Sequence, residues 1–156
     1  MIAKPLAPLV RRGLHAWFLA SRGLTLGVRG AVIDGGNRVL LIRHTYVSGW
    51  HMPGGGVEIG EDAVTALTRE LAEEAEVKLA SPARLHGIFF NGHASRRDHV
   101  LVYVVRDFTI AGPKRPDREI AEAGFFPIAA LPDGVTRGTQ ARLQEIVSGR
   151  APSAHW

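Results

Sequence analysis

At 156 residues, with 46% hydrophobic and 22% charged residues, the chain has the composition of one globular domain able to bury a core. It contains no cysteine, which excludes disulfide scaffolds, thiolate metal sites and cysteine nucleophiles. Nineteen bases against fifteen acids give a formal charge of +4, and no run approaches the roughly 20 apolar residues of a membrane span.

Residues 8–20 read as a short basic helix with Leu9, Leu14, Trp17 and Phe18 toward one side. Arg11, Arg12 and His15 interrupt any apolar core, so the segment does not read as a secretory signal. Such a helix can dock on the domain, pair two subunits or touch a membrane surface. Docking is the expectation, a homodimer stays open, and no membrane partner is expected. Residues 24–34 and 38–44 read as strands around the turn Gly35-Gly36-Asn37, which predicts a hairpin.

A glycine run, Gly54 to Gly56, then precedes an amphipathic helix from Asp62, where Ala63, Val64, Leu67, Leu71 and Ala75 recur at helical spacing. Residues 61–76 hold six acids against Arg69 alone, a local charge of −5, while the rest of the chain carries +9. A negative focus in a positive body suits a cation bound at the focus and a polyanion drawn toward it.

Beyond the helix, 84–90 and 100–105 read as strands, 107–118 as a charged loop with two prolines, and 119–131 as a segment leading into Pro132. Residues 136–148 read as a closing helix stopped by Gly149. The unbroken apolar runs Val39 to Ile42 and Val100 to Val105 fit strands covered on both faces. The expected fold is therefore an α/β/α sandwich around a mixed β-sheet. The expected divisions are a helical extension at 1–23, the domain at 24–150 and a tail at 151–156.

On the acidic helix, at about 100° per residue, Leu67, Leu71, Val64 and Ala75 share one arc, and Glu70, Glu73 and Glu74 share the adjoining one. Three carboxylates at the edge of a core repel one another. Arg69 can pair with Glu73 but cannot neutralise all three, whereas a hard divalent cation can. Oxygen ligands without Cys or His select Mg2+ or Mn2+, and no two of the seven histidines stand at zinc-ligand spacing. The glycines let backbone approach the helix closely, so that a carbonyl could join the coordination.

The series Gly55, Glu61, Arg69, Glu70, Leu71, Glu73, Glu74 and Val77 resembles the Nudix box, the signature of the Nudix hydrolases, with every spacing intact. Six fixed identities at ordinary residue usage match by chance on the order of 10⁻⁸ per start position. The lead-in from Trp50 to Gly56 is similar to the family's, and so is Glu119-Ile120 followed by Phe125-Phe126-Pro127 and Leu131-Pro132. One position departs: Glu76 stands where the family has a glycine. It must either take a left-handed conformation at roughly 1 kcal/mol or end the helix differently.

The resemblance implies a Nudix sandwich over about residues 24–148 and hydrolysis of a pyrophosphate linkage in a nucleoside diphosphate derivative. It implies Glu70 and Glu74 as metal ligands with the Gly54 carbonyl, and Glu73 as a further ligand or the base. Arg69 would orient Glu73, Glu61 would act through water, and Glu119 shares the role of base with Glu73. Arg96 and Arg97, then Arg43 and His44, are candidates to meet the phosphates; Trp50, Phe125 or Phe126 to stack on a base. Two alternatives stay open: a 5′-triphosphate RNA end as substrate, and a module that binds a nucleotide without hydrolysis. The expected location is the cytoplasm.

Overall fold

The computed structural model describes residues 6–156, from which the order α1 (Leu6–Arg22), β1 (Thr25–Val32), β2 (Arg38–His44), α2 (Ala63–Ala75), β3 (Val77–Leu79), β4 (Arg84–Phe90), β5 (Asp98–Val105), β6 (Phe108–Ile110), β7 (Ile120–Pro127) and α3 (Arg137–Ser148) emerges. β5 is the centre of a mixed sheet, parallel to β1 and antiparallel to β4. Its six residues from Val100 to Val105 are all buried, because alternate side chains enter two different cores. Leu101, Tyr103 and Val105 join Val28, Val32 and Leu40 beneath Ala66, Leu67 and Leu71 of α2. Val100, Val102 and Val104 join Ala31, Val39, Leu41 and Phe89 beneath Leu143 of α3. The uninterrupted apolar runs thus mark strands between two helical layers, as expected of the sandwich.

The expected hairpin does not form. β2 pairs antiparallel with β7 instead, and only the Ile33–Val39 bridge joins the strands flanking the turn. The free edge of β1 is taken by the glycine segment: Val28 N–H donates to Gly55, Gly30 N–H to Pro53 and Val57 N–H to the Leu26 carbonyl, each at 2.8 Å. His51 meanwhile exchanges two 2.9 Å backbone hydrogen bonds with Ile42 of β2. Residues 51–57 therefore fill the gap that a hairpin would have closed. The cavity described below opens along this segment.

β3 and β6 form a three-residue antiparallel pair that periodicity is too short to reveal. At the far edge, Phe90 and the terminal segment exchange hydrogen bonds, Phe90 N–H to Ala154 and Trp156 N–H to Phe90. The Trp156 ring meets Phe89 edge-on at 6.1 Å, so residues 154–156 are bound into the sandwich rather than trailing from it.

The expectation that α1 docks on the domain fails. Val10, Leu14, Trp17, Phe18 and Leu19 are all exposed. Both sheet faces are already covered by α2 and α3, which leaves no apolar layer for a third helix. No helix among the described residues is long and apolar enough to cross a membrane.

Candidate active site

Asp62 caps α2, accepting from the Val64 and Thr65 amides at 2.9 Å, so the helix starts at Ala63, two residues after Glu61. Leu67 and Leu71 pull its inner face onto β1, where Gly30 leaves room for Leu71: a Cβ there would lie 2.9 Å from its side chain. That seating carries Glu70 and Glu74 inward, 13% and 9% exposed at the side chain, and leaves Glu73 61% exposed. The shared carboxylate face thus splits into one buried acid, Glu74, one part-buried, Glu70, and one at the surface, Glu73.

The glycines answer to these acids directly. A Cβ on Gly55 would fall 2.6 Å from the Glu70 carboxyl carbon, so only glycine admits that side chain. Gly54, at φ 142°, lies so close to β1 that a Cβ would come within 2.9 Å of the Arg29 Cα. In that conformation its amide donates to Glu74 Oε2 at 2.7 Å.

Glu74 is held up to about pH 7 before it ionises, chiefly because burial disfavours the charge. The Gly54 amide and Arg29 oppose this, while the charges of Glu70 and Glu119 add to it. Arg29 is the cation at the back of the site. Its Nη1 donates to the Gly54 carbonyl at 2.7 Å and the Met52 carbonyl at 3.0 Å. Burial lowers its own pKa, and the charges of Glu74 and Glu70 resist that.

Arg69 turns its fork to Glu61, Nε to Oε1 and Nη2 to Oε2, both 3.0 Å. Nη1 reaches Glu70 Oε1 at 2.7 Å and stands 3.6 Å from Glu73. The hydrogen bonds to Glu61 and Glu70 raise the arginine's pKa further. Arg69 therefore ties the loop before α2 to the part-buried carboxylate first, with Glu73 its weakest partner. Glu61 lies off the helix and folds back to this contact.

Glu119 arrives from the opposite side. Asp117 Oδ1 accepts from the Glu119 and Ile120 amides at 2.9 and 2.8 Å, and Lys114 pairs with Asp117 at 2.6 Å. These contacts hold the Asp117 carboxyl well below the usual carboxylate range. The Glu119 carbonyl accepts from Thr45, which fixes the loop to the end of β2. A cavity of about 330 Å3 results, lined by Arg29, His44, Tyr46, Val47, His51, residues 54–56, Glu70, Glu74 and Glu119. Burial holds His44 and His51 toward the neutral form.

The other sequence candidates lie elsewhere. Arg43 pairs with Glu122 at 2.7 Å and stacks over Trp50. Arg97 lies beside Gly23 at the end of α1, and Arg96 is exposed on the same loop. Phe125 stacks on Phe108 against the α2 core, and Trp50 meets Phe126 in the other core. The aromatic at the cavity is Tyr46, 70% exposed, which sequence reasoning missed. Arg29 was missed too, although an arginine between glycines in the apolar strand TLGVRGAV was a usable signal.

Among the described residues, no three His, Asp or Glu side chains converge into a ready-made metal cage. The donor set still fits a hard dication of the Mg2+ type, which takes one or two carboxylates and fills its shell with water and phosphate oxygens. Glu70 and Glu74 are that pair, and burial, with the charge of Glu70 beside it, raises the proton affinity of Glu74. The Gly54 carbonyl accepts from Arg29 and retains a second lone pair.

The class so defined is an α/β/α sandwich with an acid-lined, arginine-backed cavity between a glycine segment and one helix. The NUDIX domain model matches residues 23–145, and the chain belongs to the Nudix family. An ADP-ribose pyrophosphatase of Methanocaldococcus jannaschii is 30% identical over 104 residues, 65% of this chain and 61% of that protein. The rat (Rattus norvegicus) diphosphoinositol polyphosphate phosphohydrolase 2 is 42% identical over 72 residues, 46% of this chain and 40% of that protein. The crystal structure of a MutT NUDIX hydrolase from Burkholderia pseudomallei superposes with a TM-score of 0.67 at 26% identity, covering 78% of this chain and 97% of that one. The match with these two curated relatives spans 61% and 40% of their lengths.

Proposed function

We propose that the chain is a metal-dependent hydrolase that cleaves the pyrophosphate linkage of a nucleoside diphosphate derivative. One observation carries this reading: Glu74 is buried on the Gly54 amide, its charge disfavoured first by that burial and then by Glu70 and Glu119, with Arg29 beside it. Such a cluster is costly for a fold, and it suits a site that gathers cations and polyanions. The similarity to an ADP-ribose pyrophosphatase and to a MutT hydrolase supports it.

In this reading Glu70, Glu74 and the Gly54 carbonyl would hold Mg2+ or Mn2+, and Glu73 would be a further ligand or the base. The ion supplies Lewis-acid neutralisation of the bridging phosphate oxygens. Glu119, facing the cavity, accepts the proton of the attacking water; Glu73 is the competing base. The water oxygen bonds to one phosphorus while the bridging P–O bond breaks in line with it, and the leaving phosphate keeps the electron pair. Arg29 offers its unused donors to the departing charge. Tyr46 offers an exposed ring to a base or sugar. The cytoplasm, where nucleotides and magnesium occur together, is the proposed site of action.

The test is a turnover screen with Mg2+ or Mn2+. Its panel covers nucleoside triphosphates, oxidised dNTPs, ADP-ribose, nucleotide sugars, dinucleoside polyphosphates and triphosphorylated RNA. Hydrolysis of a small diphosphate, lost in Glu70→Gln, is the expected result. Nucleotide binding without turnover anywhere on the panel would contradict the hydrolase and leave a binding module.

A further inference from the structure

Among the described residues, no element packs on the apolar face of α1. At about 100° per residue, Trp17, Val10, Leu14 and Phe18 occupy an arc of about 100°. Arg11, Arg22, His15 and Arg12 occupy the next arc of similar width, with Leu19 the one large apolar residue among them. Trp17, Val10 and Leu14 are each more than half exposed and Phe18 is 40% exposed. Trp17 and Phe18 lie 5.3 Å apart, and the Arg22 guanidinium covers Phe18 at 4.6 Å. The exposed apolar surface continues along the chain past the helix, with Leu24 65% and Leu26 38% exposed. Arg97 stands at this junction, its guanidinium 3.5 Å from where a Cβ on Gly23 would be.

The charge pattern selects the occupant. No acidic residue precedes Asp34 in the chain. Two copies of α1 packed face to face would bring Arg11 and Arg22 of each against the other with no carboxylate to receive them. The acid cluster of α2 is no better partner, since Glu61, Glu70 and Glu74 are committed to Arg69 and Gly54. An anionic lipid surface matches both arcs: acyl chains take Trp17, Leu14 and Phe18 while headgroups take the bases.

We propose that α1 lies in the plane of an anionic phospholipid bilayer as a peripheral, non-spanning anchor for the domain. This replaces the sequence expectation of no membrane partner, and it stands whether or not the cavity hydrolyses a pyrophosphate.

Full-length protein is sedimented with vesicles of phosphatidylcholine alone and of phosphatidylcholine with phosphatidylglycerol. Binding is expected to the anionic vesicles only and to weaken as salt rises. Arg11→Gln/Arg12→Gln should weaken it by about thirtyfold, from two lost charges at the surface. Leu14→Glu/Trp17→Glu should weaken it on the order of a hundredfold or more. Quenching by brominated lipids in the unaltered protein, absent in Trp17→Phe, reads the same contact without depending on a charged variant. Equal sedimentation of wild type and Leu14→Glu/Trp17→Glu would overturn the proposal. So would failure to bind anionic vesicles, with or without concentration-dependent dimerisation abolished by Trp17→Glu, which would assign the face to a second copy.

Discussion

The Gly54 amide points at Glu74 across twenty residues of sequence and donates to it at 2.7 Å. This bond joins the two halves of the box, the glycine run and the acid run, at one atom pair. It satisfies one lone pair of a carboxylate whose charge burial disfavours, and so offsets part of that burial.

A consequence follows for pH. Folded Glu74 keeps its proton up to about pH 7, whereas an unfolded chain releases it near the ordinary glutamate value of 4.5. Between those values the metal-free fold binds more protons than the unfolded chain, so its stability falls as pH rises. The loss is on the order of 3 kcal/mol in total. Glu74→Gln should keep the Gly54 contact and flatten this dependence, melting above wild type at pH 8 without metal while losing activity. Thermal melts from pH 5 to 8 in a chelator check it, and an equally steep slope in the variant would refute it.

The same proton competes with a cation. Apparent affinity for Mn2+ should weaken by up to about tenfold per pH unit below 7, because the ligand must be deprotonated. Titrations at pH 6 and 8 measure this directly. A pH-independent affinity would remove Glu74 from the ligand set.

Gly55→Ala tests the close approach. Its Cβ would occupy the position of the Glu70 carboxylate, which must swing away. The fold should survive, since Gly55 sits on a half-exposed edge segment. Turnover should fall by roughly a hundredfold, the scale of losing one transition-state charge contact.

Glu61→Gln removes one charge from the Arg69 fork. The two hydrogen bonds from Arg69 weaken, and the arginine can move toward Glu70 and Glu73. A drop in kcat of about tenfold with little change in melting temperature is expected, because the neutral amide still accepts from Arg69 in this part-buried pair while orienting its neighbour less firmly. A large stability loss without a rate change would make the contact purely structural.

Glu76 ends α2 in the left-handed conformation, φ 55° and ψ 27°, with its amide bonded to Ala72 and Leu71 carbonyls. The cap geometry therefore survives the missing glycine, at a strain cost. Glu76→Gly should raise stability by about 1 kcal/mol with activity unchanged, read from chemical denaturation.

Apolar periodicity foretold the acid helix from Asp62, and the unbroken apolar runs foretold the two-sided burial of β2 and β5, because period and run length are local properties. The pairing of β2 with β7 was not legible. A strand carries no mark of which distant strand it joins, and Gly35-Gly36-Asn37 mimics a hairpin turn. Glu73, Glu70 and Glu74 look equivalent at helical resolution, and only the seating of Leu67 and Leu71 against β1 turns two inward and exposes the third. Arg96, Arg97 and Arg43 were chosen for charge alone, and strand edges and loops took them from the cavity. Arg29 and Tyr46 reach it through long-range packing.

The most direct test is calorimetric titration of Mn2+ at pH 8, with a non-hydrolysable substrate analogue present, into wild type, Glu70→Gln and Glu74→Gln. Binding in the wild type, weakened tenfold or more in each variant, is the predicted result. No binding to wild type, or unchanged affinity in both variants, would mean that these two carboxylates serve something other than a cation.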